Sequence, residues 1–254
     1  MRMIAQVRLS AVTVAALLVH DLCQAERVLG FARDAVTQRF LYTEVHDFKR
    51  SADGRVIAAQ TRYHDAKGRE IARKSLDYRT NRFIPTYRME MPAQQYAEGI
   101  RSNENPVVLF KQDGGREEVK SLAREPGLEA ADSGFNHLLM DHLPRMLQGE
   151  TVAFRLIVAG NTDRYRFRAK QVAELLVENT PAVKLRVEPD SLLRMLVEPI
   201  ELVYDRQSTR LISYKGVSNI IDPQTGQVHQ SVHITYGGAA PAEARWPQVA
   251  ATAP

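Results

Sequence analysis

The feature that most constrains this chain is a turn that recurs with variations. It is written as Ser51-Ala52-Asp53-Gly54-Arg55, Asp65-Ala66-Lys67-Gly68-Arg69, Asp113-Gly114-Gly115-Arg116, residues 205–210, and Asp222-Pro223-Gln224-Thr225-Gly226. In each, an Asp carboxylate can accept a backbone N–H two residues on. Gly or a polar residue then takes the positive-φ position, and apolar alternation resumes. Such a series predicts consecutive antiparallel strands.

The segments 55–64 and 69–79 between these turns are long for strands. Ten residues extend about 33 Å, and long twisted strands curl when laid side by side. Further strand candidates are 40–48, 86–91, 106–112, 151–159, 163–172, 183–188, 199–205, 209–216 and 228–236. The expected fold class is mainly β: a long-stranded, curved antiparallel sheet of about nine to eleven strands, forming a half-barrel or barrel. One domain spans 26–236.

One stretch breaks the two-residue rhythm. Phe135, Leu138, Leu139, His142, Leu143, Met146 and Leu147 recur at spacings of three and four, a helical stripe. Asp132 or Ser133 is placed to cap it, Gly149 to end it, and Pro144 to kink it or start a second turn. Leu192, Leu193, Leu196 and Val197 form a shorter stripe between two Val-Glu-Pro triplets. One or two short helices should therefore plug the concave side of the sheet. They serve either as solid core or as a lid over a ligand cavity. In the second case Phe135, Leu139, Leu143, Met146, Leu192 and Leu196 line the cavity.

The first residues carry Arg2 and Arg8, an uncharged run over 9–19, and Cys23-Gln24-Ala25. That is the plan of a secretory signal peptide over 1–25, and the run is short of the roughly 20 residues that span a bilayer. The expected location is periplasmic or secreted. Removing Arg2, Arg8 and Asp21 leaves 32 basic and 29 acidic side chains, a net charge of +3, and no cysteine. Thiol catalysis, disulfide exchange and Cys-based zinc sites are thereby excluded from the mature chain.

Candidate chemistry is sparse. Glu188, Asp190, Glu198 and Glu201 can be read as an acid–base set for an exported hydrolase, but Pro189 and Pro199 make them ordinary punctuation at strand ends. No Gly-x-Ser-x-Gly elbow occurs. His229 and His233 on one strand lie about 13 Å apart, and His137 and His142 on one helix point apart, so neither pair is a ligand pair. His46 and His64 would have to meet across strands. No metal and no cofactor is expected.

The strongest polar pattern is Arg164, Arg166, Arg168 and Lys170, every second residue. All four project from one face, either to bind an anionic envelope surface or as a solvated face that discourages edge pairing. Nucleic acid is not an expected partner, because the chain is exported and shows no stacking motif. Residues 237–254 are mostly Ala, Pro and Gly and are expected to form a disordered tail with Trp246 exposed.

Signal peptide, long strands with Asp/Gly turns over 40–236, and an interposed helical plug resemble the periplasmic lipoprotein-carrier superfamily. That likeness implies a half-barrel holding acyl chains under a helical lid. The strings Glu198-Pro199-Ile200-Glu201-Leu202, Tyr204-Asp205 and Tyr214-Lys215-Gly216-Val217-Ser218-Asn219-Ile220 are similar to a family of uncharacterised exported bacterial proteins, which implies no activity. The functional expectation is an exported binding or carrier protein for a lipid, a lipoprotein acyl chain or another apolar molecule. The alternatives are an exported hydrolase and a non-catalytic structural envelope protein.

Overall fold

The structure is a computed structural model that describes residues 25–190 and 198–247. The expected signal segment up to residue 24 and the shorter leucine stripe, with Leu192 and Leu196, lie outside the described residues. Fifteen strands form one sheet. In chain order they are β1 Ala25–Asp34, β2 Phe40–Arg50, β3 Val56–Asp65, β4 Glu70–Asp77, β5 Thr86–Met91, β6 Tyr96–Ser102, β7 Val107–Asp113 and β8 Arg116–Leu122. Then follow β9 Glu129–Ala131, β10 Val152–Val158, β11 Asp163–Val177, β12 Thr180–Pro189, β13 Ile200–Asp205, β14 Leu211–Gly216 and β15 Val232–Tyr236. The helix α1, Gly134–Leu147, separates β9 from β10.

From β1, in the middle of the sheet, the chain walks outward to the edge strand β8. It then passes to the opposite edge at β9 and walks back until β15 pairs with β1. Neighbours are antiparallel throughout except β9 and β10, which are parallel across α1. The register Gly30↔Tyr236 joins the two halves.

The turns join consecutive strands as expected in four of their five places, and the Asp carboxylate takes the N–H two residues on at Asp53, Asp65, Asp205 and Asp222. Asp65 Oδ1 accepts from Lys67 N (2.9 Å) and Arg69 N (3.0 Å), with Gly68 at φ +77°. Asp205 Oδ1 likewise accepts from Gln207 N (2.8 Å). The fifth turn, at Asp222, closes only an isolated bridge between Ile221 and Val228, and the strand expected from 228 begins at Val232. Four strands escaped the sequence pattern: β1, β6, β8 and β9. The clearest case is β8, REEVKSL, whose side chains are nearly all exposed, so no apolar alternation marks it.

The sheet is strongly curved but not closed by a backbone ladder. Its two ends meet through side chains instead. Thr162 Oγ1 donates to Glu118 Oε1 (2.7 Å), Arg124 Nε to Glu129 Oε2 (2.8 Å), and Arg164 Nη2 to the Ala123 carbonyl (2.5 Å). Two apolar clusters fill the inside. One, in the first half, gathers Tyr42, Tyr63, Leu76, Tyr87, Met89 and Leu109. The other packs α1 against the second half of the sheet. Strand β9 serves both, giving Ala130 to the second cluster and Ala131 to the first.

The expected tail begins as part of the fold. Trp246 lies 6.0 Å from Phe31, Arg33 pairs with Glu243 at 3.2 Å, and Ala244 is buried. Phe31 alternates with the inward Ala32 along β1, so it faces out and needs a cover, which Trp246 helps to provide. Residues 237–247 therefore belong to the body.

Candidate functional site

The helical stripe lands on the concave side as the periodicity predicts. Phe135, Leu138, Leu139, Leu143 and Met146 are all buried, and they pack with Phe154, Ala169, Val183, Leu185, Val187 and Leu202. Phe135 and Phe154 are 5.6 Å apart between ring centroids. The stripe is core here, with sheet side chains against it. The helix runs unbroken through Pro144 to Leu147.

The root of this helix is polar and dry. Asp132 adopts φ +44°, and its carboxylate accepts from Lys74 Nζ (2.7 Å), Ser133 N (2.5 Å), Ser133 Oγ (2.7 Å) and Asn219 Nδ2 (3.3 Å). The Lys74 and Asp132 side chains are 6% and 2% exposed. Asp132 is therefore no helix cap: neither it nor Ser133 makes the expected capping bond, because its oxygens are taken by Lys74 and its neighbours. Burial alone would raise the Asp132 pKa, but Lys74 and the Ser133 hydrogen bonds outweigh it and hold it below the ordinary value. Burial would lower Lys74, and Asp132 outweighs it in turn. A depressed acid and a raised base keep their pair from the ordinary carboxylate pKa of about 3.9 up to the ordinary lysine value of about 10.4.

Two further acids lie inside the first half of the sheet. Glu44 bonds His46 Nε2 (2.8 Å) and accepts from Tyr236 O–H (3.2 Å), while His46 Nδ1 meets Thr61 Oγ1 at 3.0 Å. Glu98 accepts from Tyr96 O–H at 2.5 Å. The edge turn Ala159–Asn161 closes over it so tightly that a Cβ on Gly160 would lie 2.3 Å from Glu98 Oε2. Tyr63 sits among all of these. Burial, then Glu44 and Asp132, push its phenol well above its ordinary range, with Glu98 adding to the effect. The arrangement holds phenols neutral beside the Lys74–Asp132 pair and the Glu44 and Glu98 carboxyls. Its sequence signal was a polar residue at inward positions of otherwise alternating strands, and only the register identifies which positions those are.

The cationic row is only partly free. Arg164 Nη1 donates to Glu129 Oε1 (2.7 Å), whose side chain is fully buried, and Arg168 Nε donates to Glu188 Oε1 (2.9 Å). Two of the four expected anion-binding charges are thus already paired with acids, Arg164 with a buried one and Arg168 with one on the outer face. Arg166 remains exposed and Lys170 half-buried. The acid set does not converge either. Glu188 is held by Arg168, Glu201 by Lys184 (3.2 Å), and Asp190 and Glu198 are exposed. Among the described residues no three His, Cys, Asp or Glu side chains gather as metal ligands. His46 lies opposite Thr61 and His64 opposite Thr43, an odd offset that puts the two imidazoles on opposite faces. No described helix is long and apolar enough to cross a membrane.

No protein-family model and no curated protein matches this chain. A solved structure that does match is described as a β-barrel-like protein of a domain of unknown function, DUF1849, from Brucella abortus. It shares 8% identity over 85% of this chain and 97% of that one, with a TM-score of 0.44.

Proposed function

We propose that this chain is an exported binding or carrier protein of the cell envelope, taking up a lipid or another long apolar chain at the place where α1 packs. The observation that carries the reading is the helix itself. One amphipathic segment covers the concave side of half the sheet, and left-handed backbone stands at both of its ends, at Asp132 and Gly149. Between those points the helix is a unit that can swing, rooted by Lys74–Asp132 and steadied by Tyr204 O–H on Asn136 (2.7 Å) and Arg82 on Asp141 (3.0 Å).

The energies are matched. Exposing five large apolar side chains costs about 8–15 kcal/mol, and burying an acyl chain of roughly sixteen carbons at about 0.8 kcal/mol per methylene returns about 13. An apolar chain on the floor of Val183, Leu185 and Val187 can therefore take the helix's place at little net cost. Export of the chain and contact of Arg166 and Lys170 with an anionic envelope surface belong to the same proposal. A hydrolase has weaker support, since Glu188 and Glu201 are each held by a cation on the outer face.

Native mass spectrometry of protein purified from its own host is expected to show a retained apolar molecule. In a fluorescent fatty-acid assay, Leu139→Ala, which weakens the plug by about 2–5 kcal/mol, should tighten binding, and Leu185→Gln on the floor should abolish it. An unsubstituted protein that retains and binds no apolar probe, with Leu139→Ala folded and equally inert, would end the carrier reading.

A further inference from the structure

The convex face carries a separate site, independent of the apolar-chain reading. Across β4 to β7 the register aligns Arg73, Glu90, Ala97 and Gln112 in one row and Ser75, Arg88, Gly99 and Phe110 in the next. Ala97 thus stands low in the first row between Glu90 and Gln112, while in the second the Phe110 ring covers Gly99. The result is a groove of about 360 Å³ lined by Arg73, Arg88, Glu90, Gln95, Tyr96 and Gln112 among others. That volume is at the lower end for small-molecule sites.

The two arginines are oriented in advance. Glu90 Oε2 accepts from Arg73 Nε at 2.8 Å, and its Oε1 accepts from Arg88 Nε at 2.7 Å. One carboxylate therefore fixes both guanidiniums through their inner nitrogens. Phe110 fixes Arg88 from a second side: its ring lies under Arg88 at 5.3 Å and under Arg101 at 4.8 Å. Arg101 is spoken for by Glu117. Arg73 Nη1 also stands 4.0 Å from Glu70, beyond hydrogen-bond reach, so the terminal amino groups of both arginines keep donors directed away from Glu90.

Planar guanidinium forks match oxyanions, and the Gln95 and Gln112 amides match the hydroxyls of a sugar. We propose that this groove binds an anionic saccharide, a sugar carrying a phosphate or carboxylate group, with Arg73 and Arg88 on the oxyanion and Glu90 as their positioning residue.

Titration calorimetry with glucose 6-phosphate and glucuronate tests this, with glucose and inorganic phosphate as comparisons. Both anionic sugars should bind, and either comparison should bind at least about tenfold more weakly, the worth of one charge-assisted contact. Arg73→Gln and Arg88→Gln should each lose about tenfold, while Arg206→Gln, on the other half of the sheet, changes nothing. Glu90→Gln should weaken binding although it makes the groove more positive. A gain instead would mean simple charge attraction and overturn the proposal. Amide shifts on the unsubstituted protein should centre on Ala97, Gly99 and Gln112 whether or not the variants fold. Shifts centred elsewhere, phosphate binding as well as the sugars, or no binding by either anionic sugar would each overturn it.

Discussion

Glu98 is the residue where the cost of the interior is easiest to read. Burial raises its carboxyl above the ordinary range. The Tyr96 hydrogen bond opposes that shift, Asp132 reinforces it, and Lys74 and Lys111 oppose it more weakly. An acid raised on folding supports the folded state fully below its unfolded pKa of about 4.3, and that support is lost as pH rises through the folded value. Glu98→Gln keeps an acceptor for the Tyr96 O–H and cannot ionise. Its melting temperature should exceed the parent's at pH 7 and coincide with it near pH 4. A difference of the same size at both pH values would mean that packing, not ionisation, sets the effect.

At the scale of the element, α1 is placed by contact as much as by its stripe. Gly134 opens the helix against the loop before β5, where a Cβ would stand 2.1 Å from the Phe83 carbonyl oxygen and 2.7 Å from Pro85 Cδ. Neither partner is the end of a flexible side chain, so Gly134→Ala must push the helix or the loop aside. Helix propensity favours Ala over Gly by about 1 kcal/mol, yet the substitution is expected to lower stability by more than that, about 1–3 kcal/mol. Denaturant unfolding measures it. Stability gained by Gly134→Ala would show that the helix start is loose. The sequence placed this helix to within a residue at its start, because a 3.6-residue stripe is a local property. It misassigned Asp132, because the lysine that claims the carboxylate is 58 positions away.

At the scale of the whole molecule, the decisive feature is a seam. A sheet that nearly closes leaves β8 and β9 as edges, and here their approach is held by polar side chains centred on Glu129, which takes Arg124 and Arg164 with a side chain fully out of water. A seam of this kind opens more readily than a ladder, since local opening follows the places with few backbone bonds. In hydrogen exchange, β8 amides should lose protection ahead of those in β1 to β3. Glu129→Gln, which takes the buried carboxylate from Arg124 and leaves Arg164 with Glu125 at 3.5 Å, should speed exchange in β8 and β9 selectively, at a cost on the order of 1–3 kcal/mol. Uniform acceleration over all strands would mean that the sheet opens as one unit and that the seam is no weak line.

What the sequence determined by itself were the features whose causes lie within a few residues of one another. The Asp/Gly turns at Gly54 and Gly68 depend on positive φ and on side chain to backbone bonds two residues long, and the turn at Gly115 on positive φ, so they announced the meander and the curvature of long strands. The tertiary structure decided whatever depends on which distant positions face each other. It turned Arg164 from a surface cation into the partner of a buried Glu129, gathered Glu44, Glu98 and Lys74 on inward positions, and brought Trp246 back onto Phe31. It also aligned Arg73 and Arg88 on one glutamate. The reason is that a strand's neighbours are fixed by register across the whole sheet, and a shift of one residue would exchange its inner and outer faces without altering a single local signal.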